Sequence, residues 1–521
     1  MPSSALSSPG ALQARIHRWV VVTVLGFASG LPLALTGQAM QAWLSTSGVD
    51  IAQIGFLAIV GLPYTFKFLW APLMDRFEPP WLGRRRGWLV LTQLALAAAL
   101  WLMSLQDPLQ QLDRFALVAV LVAFLSASQD IVIDAYRTDV LPSAERGMGS
   151  SLNVLGYRLA MVLSGGVALI WTDVSQVGAW TWPEVYRLMA GLLVAAAAVS
   201  ALLLPRLPEM PRPQTVARHD LTGFAAVLLA VAVGYGISVQ VMPWLASQLL
   251  SPVWGLTTLA PDLQKKWQDL LALLMGLGVS LPLAAWAART ARFETLLAGW
   301  RGFFSVPDAF KFLAFIVLYK LGDAFAGSLM TPFLLKSMAF GSAEVGVVNK
   351  LIGLWMTILG ALLGGAVMLR LGLWRSLVAF GILQAVSNLG FAWLASAGKG
   401  QLGQLLIPSF DWGFVHLSHA TPVDGGLLVV VVLENLSSGM GTAAFVAFLM
   451  SLCQQRFTAT QFALLSAFAS IGRVWVGPLA GVLAESIGWP VFFILSTVLA
   501  LPALWLLKQL RPGIDAAAGQ A

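Results

Sequence analysis

Residues 126–166 read SASQDIVIDAYRTDVLPSAERGMGSSLNVLGYRLAMVLSGG, and this stretch decides the fold class. It places Asp130, Asp134 and Arg158 inside segments that are otherwise apolar enough to cross a bilayer. A short charged turn from Arg137 to Arg146 separates the two segments. An ionisable side chain at the bilayer centre costs ~2.5–3.5 kcal/mol on insertion scales, so it usually lines an ion or substrate path. We therefore expect a membrane-embedded protein with a polar path through it.

The composition indicates that most of the chain lies in the membrane. Of 521 residues, 58% are hydrophobic and only 11% are charged, whereas ordinary soluble domains carry ~25% charged residues. The single cysteine, Cys453, leaves no disulfide within the chain. The four histidines fall in predicted loops or tails, which argues against a metal centre. The net charge of +7 reports membrane topology rather than nucleic-acid binding, because the basic residues lie between apolar runs.

Apolar runs of about 20 residues, each long enough to cross a bilayer as a helix, follow a small polar segment at residues 1–18. No signal-peptide cleavage site is evident, so the first run is predicted to stay as a helix. The sequence predicts an all-α polytopic membrane protein with about fourteen spans. These lie near 19–44, 51–74, 88–105, 114–136, 148–171, 186–204, 221–250, 269–288, 311–335, 344–369, 375–396, 425–452, 458–484 and 489–507.

Basic residues are concentrated in every second loop. The positive-inside rule makes that side cytoplasmic, with both termini inside the cell. Lys265, Lys266 and Lys399 are the exceptions on the other side. The basic loops and tails contain Arg15, Arg18, Arg76, Arg84, Arg85, Arg86, Arg137, Arg146, Arg206, Arg212, Arg218, Arg289, Arg292, Arg301, Arg370, Arg375, Arg456, Lys508 and Arg511.

The chain also repeats itself. LSTSGVDIAQIG (44–55) pairs with LKSMAFGSAEVG (335–346) at a shift of 291 residues, and a later pairing at a shift of 315 brings Arg158 onto Arg473. Two parallel halves with a substrate site between them resemble the plan of the major facilitator transporters. The predicted organisation is a cytoplasmic tail at 1–18, a six-helix bundle at 19–205, a linker with two inserted spans and an amphipathic helix at 206–310, a second six-helix bundle at 311–507 and a cytoplasmic tail at 508–521.

The interior of the predicted spans holds five cations and four anions. Near balance permits pairing that only keeps helices in register; alternatively, some cations bind an anionic substrate and a carboxylate carries a proton. Asp130 lies near mid-membrane and is the first candidate for the proton. Asp134 lies on the same face one turn closer to the cytoplasm, which favours a relay or gating role. The cations are Lys67, Arg158, Lys320, Lys350 and Arg473, and the anions are Asp130, Asp134, Asp323 and Glu434.

Structural alternatives stand beside several of these assignments. Lys320 and Asp323 are three residues apart on one helix face and can simply pair with each other. An arginine can grip a carboxylate in bidentate fashion where a lysine cannot, which favours Arg158 and Arg473 as substrate clamps. Their repeat-related positions equally fit a structural lock shared by both halves.

A cytoplasmic gate is predicted where APLMDR (71–76) is followed by GRRR (83–86), because an acid at a helix end faces a basic cluster. The gate residues are Asp75, Arg76, Arg84, Arg85 and Arg86. The second half keeps glycines and Arg375 at the repeated positions but lacks the acid, so gating is predicted to be asymmetric. Residues 291–307 read as an amphipathic interfacial helix.

Many separate motifs along both halves resemble the AmpG permease family. They include LGFASGLPLALTGQAMQAWL, FKFLWAPLMDR, GRRRGW, SASQDIVIDA, LGYRL, LYKLGDAFA, EVGVVNK and TQFALLSA. The resemblance implies proton-coupled import of peptidoglycan turnover products, N-acetylglucosaminyl-1,6-anhydro-N-acetylmuramic acid and its peptides, across the bacterial inner membrane. It also implies a role in cell-wall recycling and, in some Gram-negative bacteria, in β-lactamase induction. Relatives with two extra spans carry them at the C-terminal end, whereas this chain is predicted to carry them between its halves.

The residues and the resemblance together give a set of candidate functional residues. We expect no cofactor other than the proton motive force, an anhydromuropeptide as small-molecule substrate, protons and membrane lipids as partners, no nucleic acid, and a monomer. For proton coupling the candidates are Asp130, Asp134, Glu434 and Asp323. For substrate binding they are Gln38, Gln41, Lys67, Gln129, Asn153, Tyr157, Arg158, Tyr319, Lys320, Asn349, Lys350, Asn435 and Arg473.

Two other functions compete with this one. A carrier of another anionic substrate, such as acyl-CoA, or of drugs would use the same scaffold. A membrane enzyme acting on lipid-linked sugars would need a carboxylate or metal cluster in an interfacial loop, and the sequence offers none. We therefore do not expect an enzyme.

Overall fold

The computed structural model describes residues 9–49, 60–172, 180–207, 215–254, 261–330, 333–411, 416–417 and 420–519. Apolar runs fold as helices because a helix satisfies its own backbone hydrogen bonds where no water is present. The first half contains α1 (Pro9–Leu35), α2 (Gln38–Thr46), α3 (Leu62–Phe66), α4 (Ala71–Arg76), α5 (Arg84–Met103), α6 (Leu112–Val140), α7 (Arg146–Met161), α8 (Ala168–Trp171) and α9 (Trp182–Leu202).

An inserted segment and the second half follow. The inserted segment contains α10 (Ala217–Gln240), α11 (Met242–Trp254), α12 (Pro261–Thr290) and α13 (Glu294–Phe304), the last within the predicted amphipathic helix. The second half contains α14 (Ala309–Tyr319), α15 (Leu321–Ser328), α16 (Ser342–Val345), α17 (Gly353–Leu371), α18 (Leu373–Ala397), α19 (Gly425–Ser451), α20 (Thr458–Ile487), α21 (Trp489–Val498) and α22 (Leu501–Gly519).

Four short strands lie between α18 and α19, in the loop predicted to face away from the cytoplasm. β1 (Gln404–Ile407) pairs antiparallel with β4 (Thr421–Asp424), and β2 (Phe410–Asp411) pairs with β3 (His416–Leu417). Asp424 is the last residue of this loop. It caps α19, because its carboxylate accepts a hydrogen bond from the backbone N–H of Leu427 at 2.9 Å. These two small sheets contain the only strands among the described residues.

The predicted count of fourteen spans is not confirmed. Among the described residues ten helices are long and apolar enough to cross a membrane, or eleven if the bent pair Glu294–Phe304 and Ala309–Gly327 counts as one span. Several predicted spans depart from a regular α-helix. A 3₁₀ segment at Lys67–Leu69 separates α3 from α4, and a π-helical segment at Val162–Val167 follows α7. Hydropathy measures apolar length and does not detect such breaks.

Small residues let helices pack closely within each half. A Cβ on Gly156 of α7 would lie 2.1 Å from the Thr23 carbonyl oxygen of α1. In the second half a Cβ on Gly360 of α17 would lie equally close, at 2.1 Å, to the Leu436 carbonyl oxygen of α19. Backbone contact of this kind holds membrane helices together by packing, because lipid provides no hydrophobic drive for their association.

The apolar core shows how the two halves meet. At the end that carries most basic residues, here called the basic end, one continuous core joins both halves and includes Met74 and Phe462. At the opposite end the described residues form two separate cores, one around Trp43 in the first half and one around Phe493 in the second. The halves are therefore packed against each other at the basic end and have separate cores at the other.

We predict that Gly156→Ala destabilises the protein, because the added methyl group must push α1 away from α7. Overpacking of this size costs ~1–3 kcal/mol, which for a chain of 521 residues should lower the melting temperature in detergent by roughly 1–3 °C. Gly191→Ala in α9 is the matched control, because a Cβ added there would have no neighbouring atom within 4 Å. Equal melting temperatures for the two variants would contradict the close packing of α1 and α7.

Candidate functional site

Ionisable residues of the first half lie close to the level at which the shared core gives way to separate cores. On α6, Ala123 belongs to the separate core, whereas Ala127 and Ile131 belong to the shared one. Asp130 therefore lies within about one helical turn of that boundary. Lys67 lies at the same level on the neighbouring chain segment, at the break between α3 and α4.

The second half repeats this placement. The chain passes from the shared core at Tyr319 to the separate core at Phe325, and Lys320 and Asp323 lie between them. Lys320 also occupies the break between α14 and α15. On α19, Glu434 lies one turn from Val431 of the separate core, toward the shared one. Both halves thus place interior charges near the boundary between the shared core and the separate cores.

The two aspartates of α6 differ in their partners. Asp134 pairs with Lys67 at 3.3 Å and with Arg137 at 2.8 Å. Asp130 accepts a hydrogen bond from the Ser29 hydroxyl of α1 at 2.5 Å and makes no ion pair with any described residue. Asp134 thus has two cationic partners, whereas Asp130 has a single neutral donor.

A hydrogen-bond chain continues from Asp134 across three helices. Arg137 donates to the Asn153 side-chain oxygen on α7, and the Asn153 amide donates to the Val22 carbonyl of α1 at 3.3 Å. Asn153 is therefore engaged with protein groups in this conformation. The network fixes the relative positions of α1, α6 and α7.

In the second half, Lys320 lies 3.4 Å from Asp323 and donates to the Thr442 hydroxyl at 3.1 Å. Gln384 of α18 donates to the same Asp323 carboxylate at 2.7 Å. The pairing that the sequence allowed for Lys320 and Asp323 is thus present. Glu434 is half-buried, and its carboxylate makes no hydrogen bond to a described residue.

The other predicted binding residues fall into three groups. Tyr319 and Asn435 bond to protein atoms: the Tyr319 hydroxyl donates to the Leu377 carbonyl at 3.1 Å, and Asn435 accepts from Thr357 at 2.9 Å. Gln129 is fully buried, and neither of its amide atoms has a hydrogen-bond partner among the described residues. Tyr157, Arg158 and Asn349 are half-buried, and the side chains of Gln38, Gln41, Lys350 and Arg473 lie outside the described residues.

At the basic end, two of the predicted gate residues, Asp75 and Arg85, belong to a cluster that joins the two halves. Arg84 and Arg86 instead donate to backbone carbonyls of the first half. Asp75 is fully buried and pairs with Arg85 at 3.0 Å. Its carboxylate also accepts hydrogen bonds from the backbone N–H and the hydroxyl of Thr460 at 2.8 and 2.7 Å. Asp75 of the first half therefore caps the N-terminus of α20 in the second half, where a negative charge is favoured.

Sequence reasoning missed the partners on the other side of this cluster. Asp139 at the end of α6 pairs with Arg85 at 2.9 Å and accepts from the Thr458 hydroxyl at 2.8 Å. Thr458 and Thr460 open α20 as T-A-T, a helix-start signal that could have pointed to them. Arg76, predicted to belong to the gate, instead contacts the inserted segment by donating two hydrogen bonds to the Thr215 carbonyl.

The second contact between the halves contains no such charged cluster among the described residues. A Cβ on Gly365 of α17 would lie 2.3 Å from the Ser151 hydroxyl of α7, and the Ser150 hydroxyl donates to the Ala443 carbonyl at 2.8 Å. At the repeat shift of 291 residues, Asp75 corresponds to Ala366. The two contacts between the halves thus differ in chemistry, one being charged and the other built from small residues, and asymmetric gating stays a prediction.

Comparisons with known proteins agree with this architecture. A family model of the Major Facilitator Superfamily matches residues 22–423. The anhydromuropeptide permease of Escherichia coli K12 is 41% identical over 499 residues, which cover 96% of this chain and 80% of that protein. A putative transporter named AmpG 4 from Rickettsia conorii is 26% identical over 96% of this chain and 98% of its own length.

Solved structures of the same superfamily share the fold. The proton:xylose symporter XylE superposes with a TM-score of 0.58 at 11% identity, covering 96% of both chains. FucP in its outward conformation superposes with a TM-score of 0.56 at 12% identity, covering 95% of this chain and 99% of that one. The predicted fold class and the resemblance stated from the sequence motifs are confirmed.

We predict that Asp134→Asn strongly destabilises the protein, because it leaves Lys67 and Arg137 without their shared carboxylate. The side chains of Lys67 and Asp134 are only 13% and 20% exposed, and removing one partner of a buried pair costs ~3–5 kcal/mol. Thermal unfolding in detergent measures the loss. The double variant Lys67→Met/Asp134→Asn should recover part of it, since one orphaned cation is also removed. A double variant less stable than Asp134→Asn would contradict this account.

Proposed function

The chain belongs to the Major Facilitator Superfamily and, within it, to the AmpG permease family, and on this premise we propose that it imports anhydromuropeptides from the periplasm into the cytoplasm. It is a multi-pass membrane transporter and not an enzyme. The proposed substrates are N-acetylglucosaminyl-1,6-anhydro-N-acetylmuramic acid and its peptides. Their import serves cell-wall recycling and links the protein to β-lactamase induction.

The observation that carries this proposal is the layer of ionisable side chains at the boundary between the shared core and the two separate cores. A muropeptide presents carboxylates and many hydroxyl groups, and it needs cations and hydrogen-bonding side chains at the base of a wide opening. Half-buried Tyr157, Arg158 and Asn349 offer a phenol, a guanidinium and an amide at such positions. A guanidinium can hold a carboxylate through two parallel hydrogen bonds.

The distribution of basic residues supports an orientation. With the basic end toward the cytoplasm, both termini are cytoplasmic and the protein lies in the inner membrane. The shared core and the cluster around Asp75 then close the cytoplasmic side. The two separate cores then lie on the periplasmic side, and we propose that the halves part there to receive an imported substrate.

The partners of the carboxylates support a division of roles in proton coupling. Asp130 and Glu434 make no ion pair with described residues, whereas Asp134 and Asp323 do. A carboxylate without a paired cation in a low-dielectric layer takes up a proton more readily than a paired one. We therefore rank Asp130 first and Glu434 second as proton carriers, and we assign Asp134 and Asp323 to holding Lys67 and Lys320.

We predict that proteoliposomes containing the protein accumulate labelled anhydromuropeptide only under an inward proton gradient. Asp130→Asn should reduce gradient-driven accumulation to background while substrate exchange without a gradient continues, because only the proton step is lost. Asp113→Asn, an exposed aspartate on the same helix, should behave as wild type. Undiminished accumulation by Asp130→Asn would remove the proton assignment to this residue.

The same vesicles separate the proposed substrate from its competitors. Unlabelled muropeptide should suppress the uptake signal, whereas acyl-CoA and common drugs should not. Wild-type vesicles that ignore muropeptide but accumulate one of those compounds would replace the substrate assignment and leave the transporter fold intact.

A further inference from the structure

The inserted segment contains a buried acid that neither the gate nor the substrate site uses. Asp220, in the first turn of α10, is 0% exposed. Its carboxylate accepts hydrogen bonds from the Thr295 backbone N–H at 2.8 Å, the Thr295 hydroxyl at 2.6 Å and the Thr215 hydroxyl at 2.7 Å. Asp220 thus caps the start of α13 from a different helix. A second link, between His219 and Glu294 at 2.9 Å, lies nearer the surface.

This cap connects directly to the first half of the transporter. Arg76 donates from Nε at 3.1 Å and from Nη2 at 2.8 Å to the Thr215 carbonyl, and its Nε lies 4.0 Å from the Asp220 carboxylate. Arg76 is the residue after Asp75, the acid at the centre of the gate. The inserted segment is therefore attached one residue away from the contact that closes the basic end.

The other face of α13 packs on the second half at the same gate. Gln461 of α20 donates to the Gly299 carbonyl at 3.1 Å, and Gln454 donates to the Gly302 carbonyl at 3.1 Å. A Cβ on Gly299 would lie 2.9 Å from the Thr460 methyl group. Thr460 is the residue that donates twice to Asp75, so α13 lies directly behind the gate.

From these contacts we propose that the inserted segment is a brace that holds the cytoplasmic gate closed, with Asp220 as its positioning residue. The inference rests on the proposed orientation, and it does not depend on the identity of the substrate. Helix α13 runs through residues 305–308 into α14, so it moves with the second half. When the halves separate at the basic end, the Arg76 to Thr215 contact breaks together with the Asp75 to Thr460 contact.

The geometry favours a brace over a simple spacer or lipid-facing addition. A spacer needs only to reach from one half to the other, and it gains nothing from burying a carboxylate, which is costly unless several donors satisfy it. Here the donors come from the linker and from α13, and Arg76 of the first half lies beside them. The closed state therefore contains contacts through the insertion that the open state lacks.

The test measures the gate directly by the distance between two spin labels. Leu202 at the end of α9 and Leu371 at the end of α17 are exposed and lie on opposite halves at the basic end. Cysteines are placed at these positions in the full chain carrying Cys453→Ala, and the protein is reconstituted into lipid nanodiscs without substrate. Pulsed electron paramagnetic resonance then gives the populations of short and long distances.

Asp220→Asn removes the negative charge and one of the two accepting oxygens, and it should raise the ratio of long to short distances by about fivefold, the effect of losing one hydrogen bond. Asp269→Asn, an exposed acid on α12 of the same inserted segment, should leave the distribution unchanged. If Asp220→Asn does not fold, Thr295→Val removes a single hydroxyl from the same cap and should shift the ratio in the same direction by a smaller factor. A folded variant at Asp220 or Thr295 with the control's distance distribution would overturn the brace. Because no substrate is present, this outcome is independent of whether muropeptides are transported.

Discussion

The structure depends on one buried carboxylate that bridges the two halves. Asp75 lies near the end of α4. Its carboxylate pairs with Arg85 of its own half and caps α20 of the other half. An isolated carboxylate in this position would be very costly, so its burial requires the guanidinium and the helix N-terminus at the same time. The first half supplies the guanidinium, and the second half supplies the helix N-terminus. The shared core at the basic end is held in register by this requirement.

The same constraint accounts for the position of the interior ionisable residues. In the proposed orientation, the layer of ionisable residues beside the shared core is the first polar layer that water and substrate would meet from the opposite side. Asp130, Lys320 and Glu434 occupy that layer, and helix breaks coincide with Lys67 and Lys320. A break frees backbone carbonyls and N–H groups that water or neighbouring side chains must satisfy, so irregular backbone is tolerated there only because the site lies inside the protein.

The elements of this design can be predicted from the sequence better than their connections. Hydropathy, charge asymmetry and the internal repeat predict two halves, a basic end and a charged layer, because each of these predictions depends on residue type alone. The number of spans is not confirmed, since the breaks at Lys67 and Lys320 leave mean hydropathy unchanged. The contact of Asp75 with Thr460 joins residues 385 positions apart, and no local pattern encodes such a distance. Proximity in the chain groups Arg76 with the gate, although its partner is the Thr215 carbonyl.

The charged character of the contact around Asp75 suits the proposed gate, which would have to open repeatedly. Buried ion pairs contribute little net stability, because separation returns each group to water and recovers its hydration. A purely apolar seal of the same size would lose its full burial energy on opening. A gate built on Asp75, Arg85 and Asp139 can therefore keep the closed and open states within a few kcal/mol of each other, as a carrier requires. In such a balanced system, modest additional contacts such as those of the inserted segment are sufficient to decide which state is populated at rest.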